Sequence, residues 1–149
     1  MLRRTVMLIV VSLVSTFFLI SAASAADKFE YLSVKAALQS ELAKEKLDPA
    51  ISFYMKGQKH KKARNTSREY SANKRSRKFK RTVKQACDQA FISALMSFQD
   101  RAQRQGQNAV IDLYSFTKNK KYQNSEKYSC LVGGMMTNVV LKGKVADIK

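Results

Sequence analysis

The sequence predicts an α+β fold, a two-layer sandwich in which one long helix packs on an antiparallel sheet. Three observations lead to it. Thr82 to Gly106 carries one apolar stripe at helical spacing, the regions after it (108–116 and 127–145) read as strands, and a polar loop between them suits an antiparallel connection.

The first residues do not belong to that fold. Arg3 and Arg4 precede an apolar run from Met7 to Ile20, which ends in small residues and Ala23-Ser24-Ala25, the form of a cleavage site. The run is shorter than the roughly 18–20 residues of a membrane span, and no Cys stands near the cleavage point to take a lipid. The expectation is a cleaved signal peptide over 1–25, no transmembrane anchor after cleavage, and a periplasmic or secreted product. Residues 26–149 then form a single α+β domain. Of the 149 residues 25 are lost, and of the 28 Lys and Arg only two go with them, so +15 of the formal +17 stays with the mature chain.

Taken in order, Val34, Ala37, Leu38, Leu42 and Ala43 recur at helical spacing over Ser33–Lys46, as one short helix or two turns with a break. Leu47-Asp48-Pro49 ends it, because proline lacks a donor and disfavours helix before it. Ile51 to Met55 is a short strand candidate. From Lys56 to Lys84 come thirteen basic residues against the single acid Glu69, with few large apolar ones. This segment reads as a long loop, or an exposed strand pair around Arg68–Ala72, outside the core.

Thr82-Val83-Lys84-Gln85 has the form of a capping box. Val83, Cys87, Ala90, Phe91, Ala94, Leu95, Phe98 and Ala102 then form the stripe, with Arg101 and Arg104 at the negative end of the helix dipole and Gly106 as terminator. Asn108–Phe116 alternates Ala109, Ile111, Leu113 against Val110, Asp112, Tyr114. Thr117–Glu126 is a polar hairpin loop. Lys127–Val132 and Met135–Val145 form one long or two consecutive strands, with Gly133-Gly134 as a bulge or sharp bend. Met55, Met96, Met135 and Met136 read as core filling.

Cys87 lies on the helix stripe and Cys130 in a strand. In an oxidising compartment the simplest reading is a disulfide, with two separate buried thiols as the alternative.

Motifs for catalysis or cofactors are scarce. Gly143-Lys144 lacks the first glycine and the hydroxyl of a phosphate-binding loop. Two Cys and one His do not assemble a zinc site. His60 lies among lysines with no carboxylate in its stretch to orient it, and of the acids only Asp112 falls in a core strand. The expectation is a non-enzymatic protein without a cofactor.

The basic segment carries the functional reading. Lys56, Lys59, Lys61, Lys62, Arg64, Arg68, Lys74, Arg75, Arg77, Lys78, Lys80 and Arg81 form an electrostatic footprint for a polyanion. Tyr54, Tyr70 and Phe79 are available to stack or insert. An exported protein would meet an anionic envelope component or an acidic protein, with nucleic acid as the alternative partner. Too few aromatics are interleaved to read bases.

Ala36-Ala37-Leu38, Lys46-Leu47-Asp48, Phe53-Tyr54, Gly57-Gln58-Lys59-His60, Ala86-Cys87, Ala90-Phe91, Ser93-Ala94-Leu95, Arg101-Ala102, Asn108-Ala109-Val110, Cys130 and Leu141-Lys142-Gly143 run through nearly the whole mature chain. Together they resemble a family of small secreted proteobacterial proteins without an established function, often labelled "excinuclease ATPase subunit". The two matching cysteines support the disulfide, whereas the nucleotide and zinc motifs of such an ATPase are missing. The element of helix, Gly106-x-Asn108-Ala109-Val110 strand and Cys-bearing strand is also similar to the stress-sensor lipoproteins of the Rcs phosphorelay and heavy-metal-binding-like domains. That similarity implies a small disulfide-bonded α+β domain that senses the envelope through protein contacts. This chain departs from it in having no lipid-anchor Cys and only two cysteines.

Overall fold

The structure, a computed structural model, describes residues 27–149, so the expected signal peptide lies outside the described residues. The elements run β1 (Lys28–Ser33), α1 (Val34–Leu38), α2 (Glu41–Lys46), β2 (Ser52–Met55), β3 (Ala63–Arg64), β4 (Tyr70–Arg77), α3 (Val83–Arg104), β5 (Ala109–Ser115), β6 (Lys127–Val132) and β7 (Met136–Ile148).

The long helix forms as its sequence dictates. The Thr82 hydroxyl accepts from the Gln85 N–H, the Gln85 side chain accepts from the Thr82 N–H, and Gly106 closes the end at φ 65°. Its stripe is fully buried from Cys87 to Ala102. The shorter helical region breaks in two, because the Ser40 hydroxyl caps α2 by accepting from the Ala43 N–H while also donating to the Ala37 carbonyl of α1. The Asp48-Pro49 corner is tied to α3: the Asp48 N–H donates to Gln99 Oε1 at 2.7 Å, and Gln103 donates to the Asp48 carboxylate at 2.9 Å.

The predicted two-layer sandwich on an antiparallel sheet is overturned. The chain builds a seven-stranded, curled, mixed sheet around one long helix. Its axis is the thirteen-residue β7. Along one edge β7 pairs with β4 over Met136–Gly143 and with β3 at Asp147–Ile148. Its other edge is shared, by β6 at Thr137–Asn138 and by β5 over Leu141–Ala146. β6 continues into β1, and β5 pairs with β2 in parallel.

A bulge adds to the bend. Asp112 adopts φ 55°, and the β5 register slips between Ile111 and Tyr114. The expected alternation therefore fails: Leu113 joins Val110 in the main core under α3, while Ala109 and Ile111 face a second, small cluster with Ala146, Tyr54, Ala63 and Ile148. Gly143 lies opposite the bulge, where a Cβ would stand 2.8 Å from Leu113 Cδ2.

Three further expectations change. The basic segment is not one long loop: it holds β3 and β4 between irregular stretches, and β4, longer than the strand expected around Arg68–Ala72, pairs along eight residues and buries Ala72 and Ser76. The strand β1, not foreseen, forms an edge beside β6. Met55 is buried as expected, but Met135 is 83% and Met136 40% exposed. They sit where Gly133-Gly134 turn the chain from β6 into β7.

Cys87 and Cys130 form a disulfide, with Cα atoms 5.9 Å apart, fastening the first turns of α3 to β6. Among the described residues no helix is long and apolar enough to cross a membrane.

Candidate functional site

The twelve basic residues predicted as a polyanion footprint do not gather into one cluster. Because residues 63–77 run antiparallel along β7, their charges are strung along a sheet edge from the end of β7 to its beginning. Lys56, Lys59, Lys61, Lys62 and Arg64 are exposed at one end, where the His60 ring lies 5.3 Å from Tyr54. Arg77, Lys78, Lys80 and Arg81 occupy the other.

Between them the strand alternates. Lys74 lies on the face that packs against α3 and is half-buried. Arg68 lies 5.5 Å from the Tyr70 ring, and Arg101 of α3 covers the same ring at 3.6 Å. The Gln105 amide donates to the Tyr70 oxygen and, with the two arginines, holds its pKa below the ordinary tyrosine value against an opposing push from burial. Tyr70 is thus already occupied, and of the three aromatics considered for stacking Phe79 alone is exposed, at 76%.

Arg75 points the other way, into a cleft of about 540 Å³ on the face of the sheet away from α3. Ser71, Asn73 and Arg75 of β4, Asn138 and Lys142 of β7, and Lys118 all line it, around an apolar floor that includes Phe116 and Val140. Lys118 and Lys142 were not singled out by sequence, since neither lies in the basic run. What brings them in is the gap between β6 and β5 on the edge of β7. There the Phe116 N–H donates to the Val140 carbonyl and the Thr117 hydroxyl accepts from the Val140 N–H, so a side chain completes the ladder. The chain then makes a tight 3-10 turn, Thr117–Asn119, with Lys118 and Asn119 at φ 54° and 58°. Such left-handed conformations cost energy for residues with a Cβ, and here they carry Lys118 and Asn119 to the cleft wall.

The cleft is cationic at its rim and has no carboxylate among its lining residues. Lys142 lies 3.9 Å over the Phe116 ring and 3.9 Å from Glu69, and Lys118 is 3.3 Å from Asp27. Arg75 has no carboxylate partner among the described residues. Asn138 donates to Asn73 Oδ1 at 2.7 Å and to the Lys74 carbonyl at 2.9 Å, which sets the amides in place. Arginine, lysines and amides around a small apolar floor provide donors for phosphate, carboxylate or sugar hydroxyls and a surface for a carbon skeleton. Among the described residues no three His, Cys, Asp or Glu side chains stand together as a metal-holding group.

No family model matches this chain, and no curated protein or solved structure matches it either.

Proposed function

We propose that this is a non-enzymatic, exported protein of the cell envelope that binds an anionic envelope component or an acidic protein through the basic edge and the cleft beside it. One observation carries the reading. None of the twelve basic side chains from Lys56 to Arg81 forms an ion pair among the described residues, although pairs form elsewhere, such as Lys44–Glu41 and Lys84–Asp88. Cations left along one edge repel each other and work against the compact state. An external anion would relieve that repulsion.

The disulfide is consistent with an oxidising compartment, and the resemblance to small secreted proteins supports the same setting. Nucleic acid is the second reading, because bases need stacking platforms and, with Tyr70 covered by Arg101, Phe79 alone of the three aromatics stands exposed. The test is salt-titrated binding of the mature protein, residues 26–149, to lipopolysaccharide, anionic vesicles and DNA. Binding to an envelope anion that weakens linearly in log–log form as salt rises is expected. No binding to any of the three at about 0.15 M salt overturns the proposal.

A further inference from the structure

At the end of the sheet where β6 turns into β7 and β4 turns into α3, three large apolar side chains face solvent. Phe79 is 76%, Met135 83% and Met136 40% exposed. Two loops far apart in sequence are locked together there. The Lys78 N–H donates to the Met135 carbonyl at 2.9 Å, the Arg81 N–H donates to the Lys78 carbonyl at 2.9 Å, and Arg77 is paired with Met136 in the ladder. Arg77, Phe79, Met135 and Met136 line one shared hollow. The apolar group is therefore a built tip on a rigid strand end.

Its surroundings are mainly cationic. Arg77, Lys78, Lys80 and Arg81 flank Phe79, and there is no Asp or Glu from Tyr70 to Cys87 or from Lys127 to Ala146. Asp27, which lines a hollow with Met136 and lies beside Gly133, pairs with Lys118, and Asp88 pairs with Lys84. A second copy of this chain would bring the same cations against themselves. An acidic groove on a protein could match the charge, but a flat anionic bilayer fits both parts at once: phosphates for the cations, and the acyl boundary for one phenyl ring and two flexible thioethers.

We propose that the Phe79–Met135–Met136 tip docks into the surface of an anionic lipid bilayer, with Arg77, Lys78, Lys80 and Arg81 on the headgroup phosphates. This rests on the reading that the basic edge meets an envelope anion, and it specifies which anion this end meets. Each basic residue at such a surface contributes about fivefold in partitioning, and the apolar tip adds depth.

Because the chain has no Trp, Phe79→Trp places a single fluorescent reporter at the tip. With the mature protein, residues 26–149, and vesicles containing anionic phospholipid, its emission should shift to the blue and be quenched by lipids brominated along their acyl chains. Purely zwitterionic vesicles should leave it unchanged. Phe79→Ser with Met135→Ser, checked by circular dichroism for an intact fold, should lose about tenfold or more in vesicle partitioning while keeping its affinity for long-chain polyphosphate. Four outcomes overturn the proposal. A reporter that stays in water on vesicle-bound protein, or serine variants that partition as well as the parent, means charge alone makes the contact. Binding to polyphosphate but not to vesicles removes the bilayer and leaves the anion reading standing. Binding to neither removes both.

Discussion

The phenol of Tyr128 donates a 2.7 Å hydrogen bond to Oδ1 of Asp88 from a position with no exposed surface. Its ring stacks on Phe91 with centroids 4.0 Å apart, and the second Asp88 oxygen accepts from Lys84. Tyr128 and Cys130 lie two residues apart on β6, and Asp88 and Cys87 are neighbours on α3. The helix start is thus held to the strand by a covalent bond and a polar one side by side.

That arrangement makes stability fall at high pH. Burial, and then the Asp88 carboxylate, push the Tyr128 ionisation far above the ordinary tyrosine value of 10.0. Below pH 10 the phenol is neutral in both states and its contribution is intact. Above it the unfolded chain ionises first, and this residue removes up to about 1.4 kcal/mol per pH unit. Tyr128→Phe should cost about 1–2 kcal/mol at pH 8 through the lost hydrogen bond, and the gap to the parent should narrow by pH 11. Urea unfolding at both pH values measures it, and a constant gap would refute the assignment.

The disulfide should matter as much as any single feature of the core. Opening the loop of 43 residues between Cys87 and Cys130 costs about 4 kcal/mol by chain entropy, before any change in strain. Thermal melts of the Cys87→Ala, Cys130→Ala double variant should fall by roughly 10–20 °C. An unchanged melting point would mean that packing around α3 carries the junction unaided.

Gly143→Ala should destabilise the protein by about 1–3 kcal/mol. The new Cβ would sit 2.8 Å from Leu113 Cδ2 and 3.2 Å from the Ile111 carbonyl oxygen. Leu113→Ala removes the first of these contacts, so the double variant should lose less than the two single losses together. Strict additivity in denaturant unfolding would show that the contact is relieved in some other way.

Arg75→Gln with Lys142→Gln tests the cleft apart from the tip. Each removed phosphate contact should reduce the salt slope of polyanion binding by about one. A slope equal to the parent's would place the anion elsewhere along the basic edge.

Much of this was legible beforehand because it is local. The Thr82/Gln85 box, the stripe from Val83 to Ala102 and the Gly106 stop are all written within a few residues of where they act. β4 was legible only as a strand alternative around Arg68–Ala72, and its run to Arg77 was not, because α3 lies close above it. The positions facing the helix are Ala72, Lys74 and Ser76, so the hydrophobic alternation that marks a strand is missing. β1 was overlooked because KFEYLS is a half-exposed edge whose pattern is weak. The parallel pairing of β2 with β5 and the division of one β7 edge between β5 and β6 depend on neighbours far away in sequence. The tip escaped for a related reason: methionine suits both cores and contact surfaces, and only the turn at Gly133-Gly134 decides which one Met135 meets.

The place of β7 in the chain has a consequence for the order of events during synthesis. β3, β4, β5 and β6 all pair with it, and it follows every one of them. A polypeptide made N-terminus first therefore leaves β3 and β4 without a partner strand, and β5 and β6 with only β2 and β1, until residues 136–148 arrive. The sheet can close around its axis only when its last strand is complete.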